Sequence, residues 1–244
     1  LGSELYEKLG SEYWASVIKV SKATTVARML RSTTIMGRKE SEVSDSAMLI
    51  YPAMQSADIF ALGVNIAHAG TDQRNVHVVA REAAKDLAHP KPIAIHHHLL
   101  QGLIKPNVWP IPQDNREEAV MAMKMSKSKP DSAVFIHDSP DEIKRKVNNA
   151  FAPEGEVEYN PILDWVKHLV FYEENSSVSI IRINEHGGDV TYKSYENLGK
   201  DYAEKKLHPQ DLKNAVADWL IKKALEVKYG KEIKLKPLDD KLEL

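Results

Sequence analysis

Cysteine is absent from the 244 residues, which excludes disulfide cross-links, thiol catalysis and a cysteine-held zinc and agrees with a cytoplasmic setting. An excess of either charge is missing too. Against 33 basic residues stand 35 acidic ones, for a net charge of -2, so any nucleic-acid contact must come from local patches rather than from a global field. No apolar run approaches the roughly 20 residues that span a bilayer, and no charged-then-apolar signal segment opens the chain, so no membrane partner is expected. Internal repeats and low-complexity tracts are likewise missing. What is present, 43% hydrophobic and 28% charged residues, describes a soluble globular protein long enough for one large domain or two modest ones. Leu1 stands where an initiator methionine would, which predicts that these residues belong to a longer polypeptide.

Apolar spacing organises the first half. Tyr13, Trp14, Val17 and Ile18, then Val26, Met29 and Leu30, predict one or two amphipathic helices over residues 11–36. A further helix is expected from an N-cap at Asp45 to Leu62, with Pro52 inside it and Gly63 ending it. Val64 to His68 reads as a strand, Gly70 to Gln73 as a turn, and Asn75 to Leu87 as a helix. Strand, glycine turn and helix in succession are the α/β arrangement that places ligands at the carboxyl ends of strands. Ile93 to His97 and Ala133 to His137 are read as further buried strands, and 105–115 as a loop.

From Ser139 the pattern changes. Ser139, Pro140 and Glu142 make a capping box with proline at the first helical position, opening a basic helix through Ala150. Helices are expected over 161–172, 194–205 and 210–227, with a hairpin turning at Gly187-Gly188 and a solvated tail after Tyr229. The domain boundary is placed here, between an α/β domain at 1–139 and a mainly helical domain at 140–244.

The chemistry concentrates in a few places. Lys124-Met125-Ser126-Lys127-Ser128 sets two ammonium groups among small hydroxyl side chains. Such a loop can close over a triphosphate and meet the charge that develops as pyrophosphate leaves; taken alone, it is also what a solvated Lys/Ser loop looks like. Tyr51, Gln55 and Asp58 fall at i, i+4 and i+7 of one predicted helix, so a phenol, an amide and a carboxylate share a face. That face is either the solvent side or a ligand site. The apolar flanks Met54, Ile59 and Phe60 argue for burial, and buried polar groups need partners that a ligand with an ammonium and a hydroxyl would supply. Three successive histidines, 96–98, point alternately to opposite strand faces and cannot all meet one ion, so no metal site is assigned. His77 is read as a helix histidine packed near the site.

Taken in order and spacing, Tyr51-Pro52-Ala53-Met54-Gln55-Ser56-Ala57-Asp58, Gly70-Thr71-Asp72-Gln73-Arg74, KMSKS followed by Lys129-Pro130, and Leu207-His208-Pro209-Gln210-Asp211-Leu212-Lys213 resemble the tyrosyl-tRNA synthetases of the archaeal and eukaryotic type. The resemblance covers nearly the whole chain. It implies a Rossmann-type catalytic domain, here its C-terminal portion, followed by a mainly α-helical anticodon-binding domain. By the same resemblance, Tyr51 and Gln55 hold the substrate's α-ammonium, Asp58 accepts the tyrosine hydroxyl, and Gln73 contacts the amino acid. Gly70 and Asp72 hold the ATP ribose. Lys124, Met125, Lys127 and Ser128 form the ATP loop, in which Lys124, Lys127 and Ser128 stabilise the phosphates. Arg74 meets the first base pair of the tRNA acceptor stem, and His208, Pro209 and Asp211 make the pocket for the first anticodon base. His186 stands where the family often has an aromatic stacker. Mg²⁺ accompanies ATP as a cofactor, and the implied partners are tRNA(Tyr), L-tyrosine and a second copy of the chain in a homodimer.

One family feature is missing. The HIGH motif, where a helix N-terminus receives ATP phosphates, has no counterpart: His68-Ala69-Gly70-Thr71 imitates it, but Asp72-Gln73 assigns these residues to the ribose loop. The family places HIGH, and another tyrosine that contacts the substrate hydroxyl, before the position of Leu1. The link from Leu87 to Lys91 is also shorter than the family pattern. Within the fold the rival is a tryptophanyl-tRNA synthetase, disfavoured because indole offers Asp58 no hydroxyl. From another class, a non-catalytic tRNA-binding fragment fits the lack of HIGH.

Overall fold

The computed structural model describes residues 2–36, 44–112 and 123–228. They form two compact units, one from residues 1–99 and 108–122, the other from 100–107 and 123–244.

In the first unit the chain runs α1 Gly2–Leu9, α2 Ser11–Lys22, α3 Val26–Ser32 with a 3-10 turn Thr33–Met36, α4 Ala47–Ala61, β1 Ile66–Gly70, α5 Arg74–Ala83 and β2 Ile93–His97. The stretch expected as one or two helices is two, because the Thr25 hydroxyl accepts the Arg28 N–H (3.3 Å) and starts a new helix. Asp45 Oδ1 accepts the Met48 N–H at 3.1 Å, the capping role its sequence position suggested. Ala53 and Ala57 are fully buried, so α4 packs closely, and the core beside it holds Tyr13, Val17, Val20, Val79 and Ala83. The end of α4 is a left-handed cap: Gly63 has φ +64°, its N–H donates to the Phe60 carbonyl, and the Val64 N–H donates to the Ile59 carbonyl. That cap consumes Val64, so β1 begins at Ile66, two residues later than the apolar pattern suggests. Strands β1 and β2 are parallel, in register from Ile66 opposite Ile93 to Gly70 opposite His97, with α5 as the crossover between them.

The second unit holds α6 Pro140–Asn148, α7 Pro161–Trp165 running into a π turn Val166–Val170, the hairpin β3 Val178–Ile180 and β4 Val190–Tyr192, α8 Tyr195–Ala203 and α9 Pro209–Lys228. Local caps set the starts: Ser139 Oγ accepts from the Glu142 N–H (3.2 Å), and Asn160 Oδ1 from the N–H groups of Ile162 and Leu163. Gly187 and Gly188 turn the hairpin at φ +93° and +66°, values that glycine adopts without a side-chain clash. Its core gathers Leu103, Ile143, Val147, Ile162, Leu163, Ile180, Leu198, Leu207 and Leu212. Each fully buried leucine or isoleucine contributes about 1.5–3 kcal/mol.

One expected strand is not formed. Residues 133–137 are irregular and turn at Ile136-His137, because Asp138 reaches back: its Oδ2 accepts the Phe135 N–H at 2.9 Å while its own N–H donates to the Phe135 carbonyl at 3.0 Å. A side chain that satisfies a backbone donor locally removes the reason to join a sheet. Ile136 consequently stays 65% exposed.

Candidate active site

Helix α4 brings the predicted amino-acid residues to one place in the first unit. Gln55 Nε2 donates to Gln73 Oε1 at 2.8 Å, so the amide on α4 and the amide just before α5 are held together. Ser56, fully buried, donates to the Pro52 carbonyl (2.9 Å) or the Val76 carbonyl (3.2 Å), which ties α4 to α5 beneath them. Tyr51 is about half exposed, at 52%. Asp58, partly buried, is reached by two phenols: Tyr13 OH donates to Oδ1 at 2.8 Å and Tyr6 OH to Oδ2 at 3.1 Å. Burial, with Asp58 beside them, raises both phenol pKa values, so both remain donors. Neither tyrosine was marked by sequence reasoning as a site residue. Tyr13 fits the apolar helix period so well that nothing separates it from a core aromatic, and α1, which carries Tyr6, lies outside the helices that the sequence pattern marked.

Gly70 ends β1 where no side chain fits. A Cβ there would lie 2.6 Å from a Leu99 methyl and 2.7 Å from Asp72 Oδ1, so glycine lets the Asp72 carboxylate sit against the strand end. Asp72 itself lies in the 3-10 turn Thr71–Gln73, and Arg74 opens α5 with an exposed side chain. The histidines sort by strand face as expected: His96 pairs with His77 (Nε2 to Nδ1, 3.0 Å) and His97 with His68 (Nδ1 to Nε2, 3.1 Å). Burial lowers the pKa of both His77 and His96, so within that pair one ring donates a proton and the other accepts it.

Within the second unit, the KMSKS residues form a short loop with Lys127 and Ser128 exposed and Ser126 Oγ 2.9 Å from Ser128 Oγ. Its base is fixed. Gln101 and Lys124 pair as an isolated antiparallel bridge, and Gly102 lies under the loop with no room for a side chain: a Cβ would be 2.9 Å from the Met123 carbonyl oxygen. Ser132, 1% exposed, accepts the Ser126 N–H at 2.9 Å and donates to the Lys129 carbonyl at 2.7 Å. Arg145 of α6 holds Asp131 at 2.6 Å. Lysines and hydroxyls on a pinned loop suit phosphate oxygens; with no carboxylate among the five residues, they do not suit a metal ion.

Also in this unit, His208 Nδ1 accepts the Gln210 N–H at 3.1 Å and starts α9, with Pro209 at the first helical position and Asp211 in the first turn. His208 therefore caps a helix whatever else it does. His186 ends the 3-10 turn Asn184–His186, and its side chain lies outside the described residues.

A parallel β-α-β crossover with an acceptor-bearing turn at its strand end is the arrangement by which open α/β folds bind nucleotides, and a pinned Lys/Ser loop suits phosphate oxygens. The chain belongs to the class I tRNA synthetases of the W and Y group, whose family model matches residues 1–224. Among its relatives, a tyrosine–tRNA ligase from Thermococcus sibiricus is 54% identical over 98% of this chain and 66% of its own length. Another, from Pyrococcus furiosus, is 57% identical over 91% of this chain and 61% of its own length. The crystal structure of tyrosyl-tRNA synthetase complexed with L-tyrosine from Pyrococcus horikoshii superposes with a TM-score of 0.82 at 52% identity, covering 94% of this chain and 64% of that one. The chain thus spans somewhat less than two thirds of the length of the relatives it matches. Among the described residues no helix is long and apolar enough to cross a membrane.

Proposed function

We propose that the protein acts as a tyrosine–tRNA ligase, joining L-tyrosine to ATP as tyrosyl-adenylate with release of pyrophosphate and then passing tyrosine to a terminal ribose hydroxyl of tRNA(Tyr). The observation that carries this reading is the Asp58 carboxylate on the same helix as Gln55, already accepting phenol hydroxyls. A site built to accept a phenol donor favours tyrosine over tryptophan, whose indole N–H sits elsewhere on the ring system. Tyr51, Gln55 and Gln73 take the α-ammonium end of the substrate, and Asp58 takes its hydroxyl. Gly70 and Asp72 hold the ATP ribose. Met125 belongs to the ATP loop, and Lys124, Lys127 and Ser128 neutralise the β- and γ-phosphates as the tyrosine carboxylate attacks the α-phosphorus in line. Positioning and charge stabilisation suffice, with no covalent enzyme nucleophile. Mg²⁺ enters with ATP on the phosphate oxygens, not in a cage built from the loop.

In the same reading Arg74 contacts the acceptor stem, by the bidentate chemistry a guanidinium offers a guanine edge. His208, Pro209 and Asp211 receive the first anticodon base by stacking and by hydrogen-bond acceptance, with His186 as a further stacker. Functionally, residues 1–139 serve as the C-terminal portion of a Rossmann-type catalytic domain and 140–244 as the anticodon-binding domain, in a cytoplasmic homodimer.

Charging of tRNA(Tyr) by the protein and its Asp58→Ala variant tests the reading. Leaving the partly buried carboxylate without its hydroxyl partner penalises phenylalanine by about 10⁵, a magnitude for which this class of enzyme is itself the reference case. Asp58→Ala is therefore expected to charge tyrosine and phenylalanine at similar rates. Unchanged preference for tyrosine in that variant would sink the assignment.

A further inference from the structure

We infer that Tyr13 is the positioning residue of the specificity carboxylate: its phenol fixes Asp58 Oδ1, so that Oδ2 alone is offered to the hydroxyl of the amino-acid ligand. This rests on the reading of Asp58 as the tyrosine-hydroxyl acceptor.

The argument starts from one proton. Tyr13 is 1% exposed, and its hydroxyl hydrogen has three acceptors within reach, Asp58 Oδ1 at 2.8 Å, the Met54 carbonyl at 3.4 Å and the hydroxyl oxygen of Tyr6. The shorter contact to a carboxylate is the stronger by both distance and charge. A tyrosine whose only duty is to fill the core between α2 and α4 needs no carboxylate, since a phenylalanine would fill the same volume without a buried hydroxyl to satisfy. Here the hydroxyl is spent on the one acidic side chain of α4.

The consequence is directional. A carboxylate with both oxygens free can turn about its last torsion and share its lone pairs with water, so a ligand without a hydroxyl leaves it only weakly penalised. With Oδ1 tied to a buried phenol, rotation is blocked and the unfilled acceptor is confined to Oδ2. The structure holds a stand-in at that position. Tyr6 stacks on Tyr13, ring centroids 4.3 Å apart at 28°, and donates its hydroxyl to Oδ2 at 3.1 Å. A phenol therefore reaches Oδ2 while Tyr13 occupies Oδ1, which is the arrangement a tyrosine ligand requires. Because Tyr6 fills the same acceptor from α1, it competes with such a ligand and must yield to it.

Equilibrium binding of L-tyrosine and L-phenylalanine to the protein, Tyr13→Phe, Tyr6→Phe and Asp58→Ala tests this. Tyr13→Phe is expected to lower the tyrosine-over-phenylalanine affinity ratio about 10- to 100-fold, the worth of one charge-assisted hydrogen bond, with phenylalanine affinity unchanged. Tyr6→Phe should keep or raise tyrosine affinity. If Asp58→Ala loses selectivity while Tyr13→Phe keeps it, or if Tyr13→Phe weakens both ligands equally, Tyr13 is only a core residue and the inference is overturned. A fall in selectivity with Tyr6→Phe overturns it as well, because the orienting phenol would then be the wrong one. Selectivity that survives Asp58→Ala, or no tyrosine binding by the unaltered protein, overturns the reading of the site and the inference with it.

Discussion

A single buried charge pair in the second unit shows how strongly one residue can matter to stability. Lys146 and Asp138 meet at 2.7 Å with side chains 3% and 9% exposed, and the Phe135 ring lies 4.7 Å from the ammonium. Burial alone would raise the Asp138 pKa, but the hydrogen bonds from Lys146 and the Phe135 N–H, with the lysine charge, outweigh it and bring it below the ordinary value. A carboxyl with a lowered folded-state pKa adds stability that is fully present above its unfolded value of about 3.9 and is lost as pH falls through the folded one. Lys146→Met would strand the carboxylate and is expected to cost about 3–5 kcal/mol near neutral pH. Urea midpoints measured from pH 3 to 7 check it: the variant should lose the rise in stability between pH 3 and 5 that the unaltered protein has, and parallel curves would refute the account. The pair was invisible in the sequence because Asp138 was read as the residue after a strand, whereas it is the side chain that prevents one.

Elements were legible where their signals are local. The Ser139 cap, the Asp45 cap, the Gly187-Gly188 turn and the helical periods of α2, α4 and α9 all concern residues within one or two turns of each other, and each formed, although the Glu142 carboxylate that was expected to complete a capping box accepts from Arg145 instead. The failures arose where apolar spacing is silent about backbone and side-chain geometry: the left-handed cap at Gly63 delays β1, and the Asp138 side chain turns the chain where a strand was expected. The candidate site divides the same way. Tyr51, Gln55 and Asp58 share a face by simple spacing, but the hydroxyls of Tyr6 and Tyr13 reach Asp58 across 52 and 45 residues, which no local pattern records. At this scale the KMSKS loop depends on its base. Ser132→Ala would leave the Ser126 N–H without its acceptor, and Gly102→Ala would push a methyl to 2.9 Å from the Met123 carbonyl oxygen. Either substitution is expected to raise KM for ATP and slow adenylate formation about 10- to 100-fold, with tyrosine affinity unchanged. Steady-state kinetics with ATP as the varied substrate would contradict this if both variants matched the unaltered protein.

The whole molecule joins an α/β unit carrying Tyr51, Gln55, Asp58 and Gln73 and a mostly helical unit carrying the KMSKS loop and the His208 to Lys213 segment. Membership of the class I tRNA synthetases follows from the family match over residues 1–224, and the ligase activity is the account's central claim. Nothing in composition betrays it: a net charge of -2 advertises no RNA partner, and the positive groups on which the proposed activity relies are local, in Lys124, Lys127 and Arg74. The claim is tested most directly by amino-acid-dependent exchange of pyrophosphate into ATP, run on the purified protein with tyrosine, tryptophan and phenylalanine in parallel. The account predicts exchange with tyrosine, and little or none with the other two. Exchange driven by tryptophan, or none with any amino acid, would contradict it.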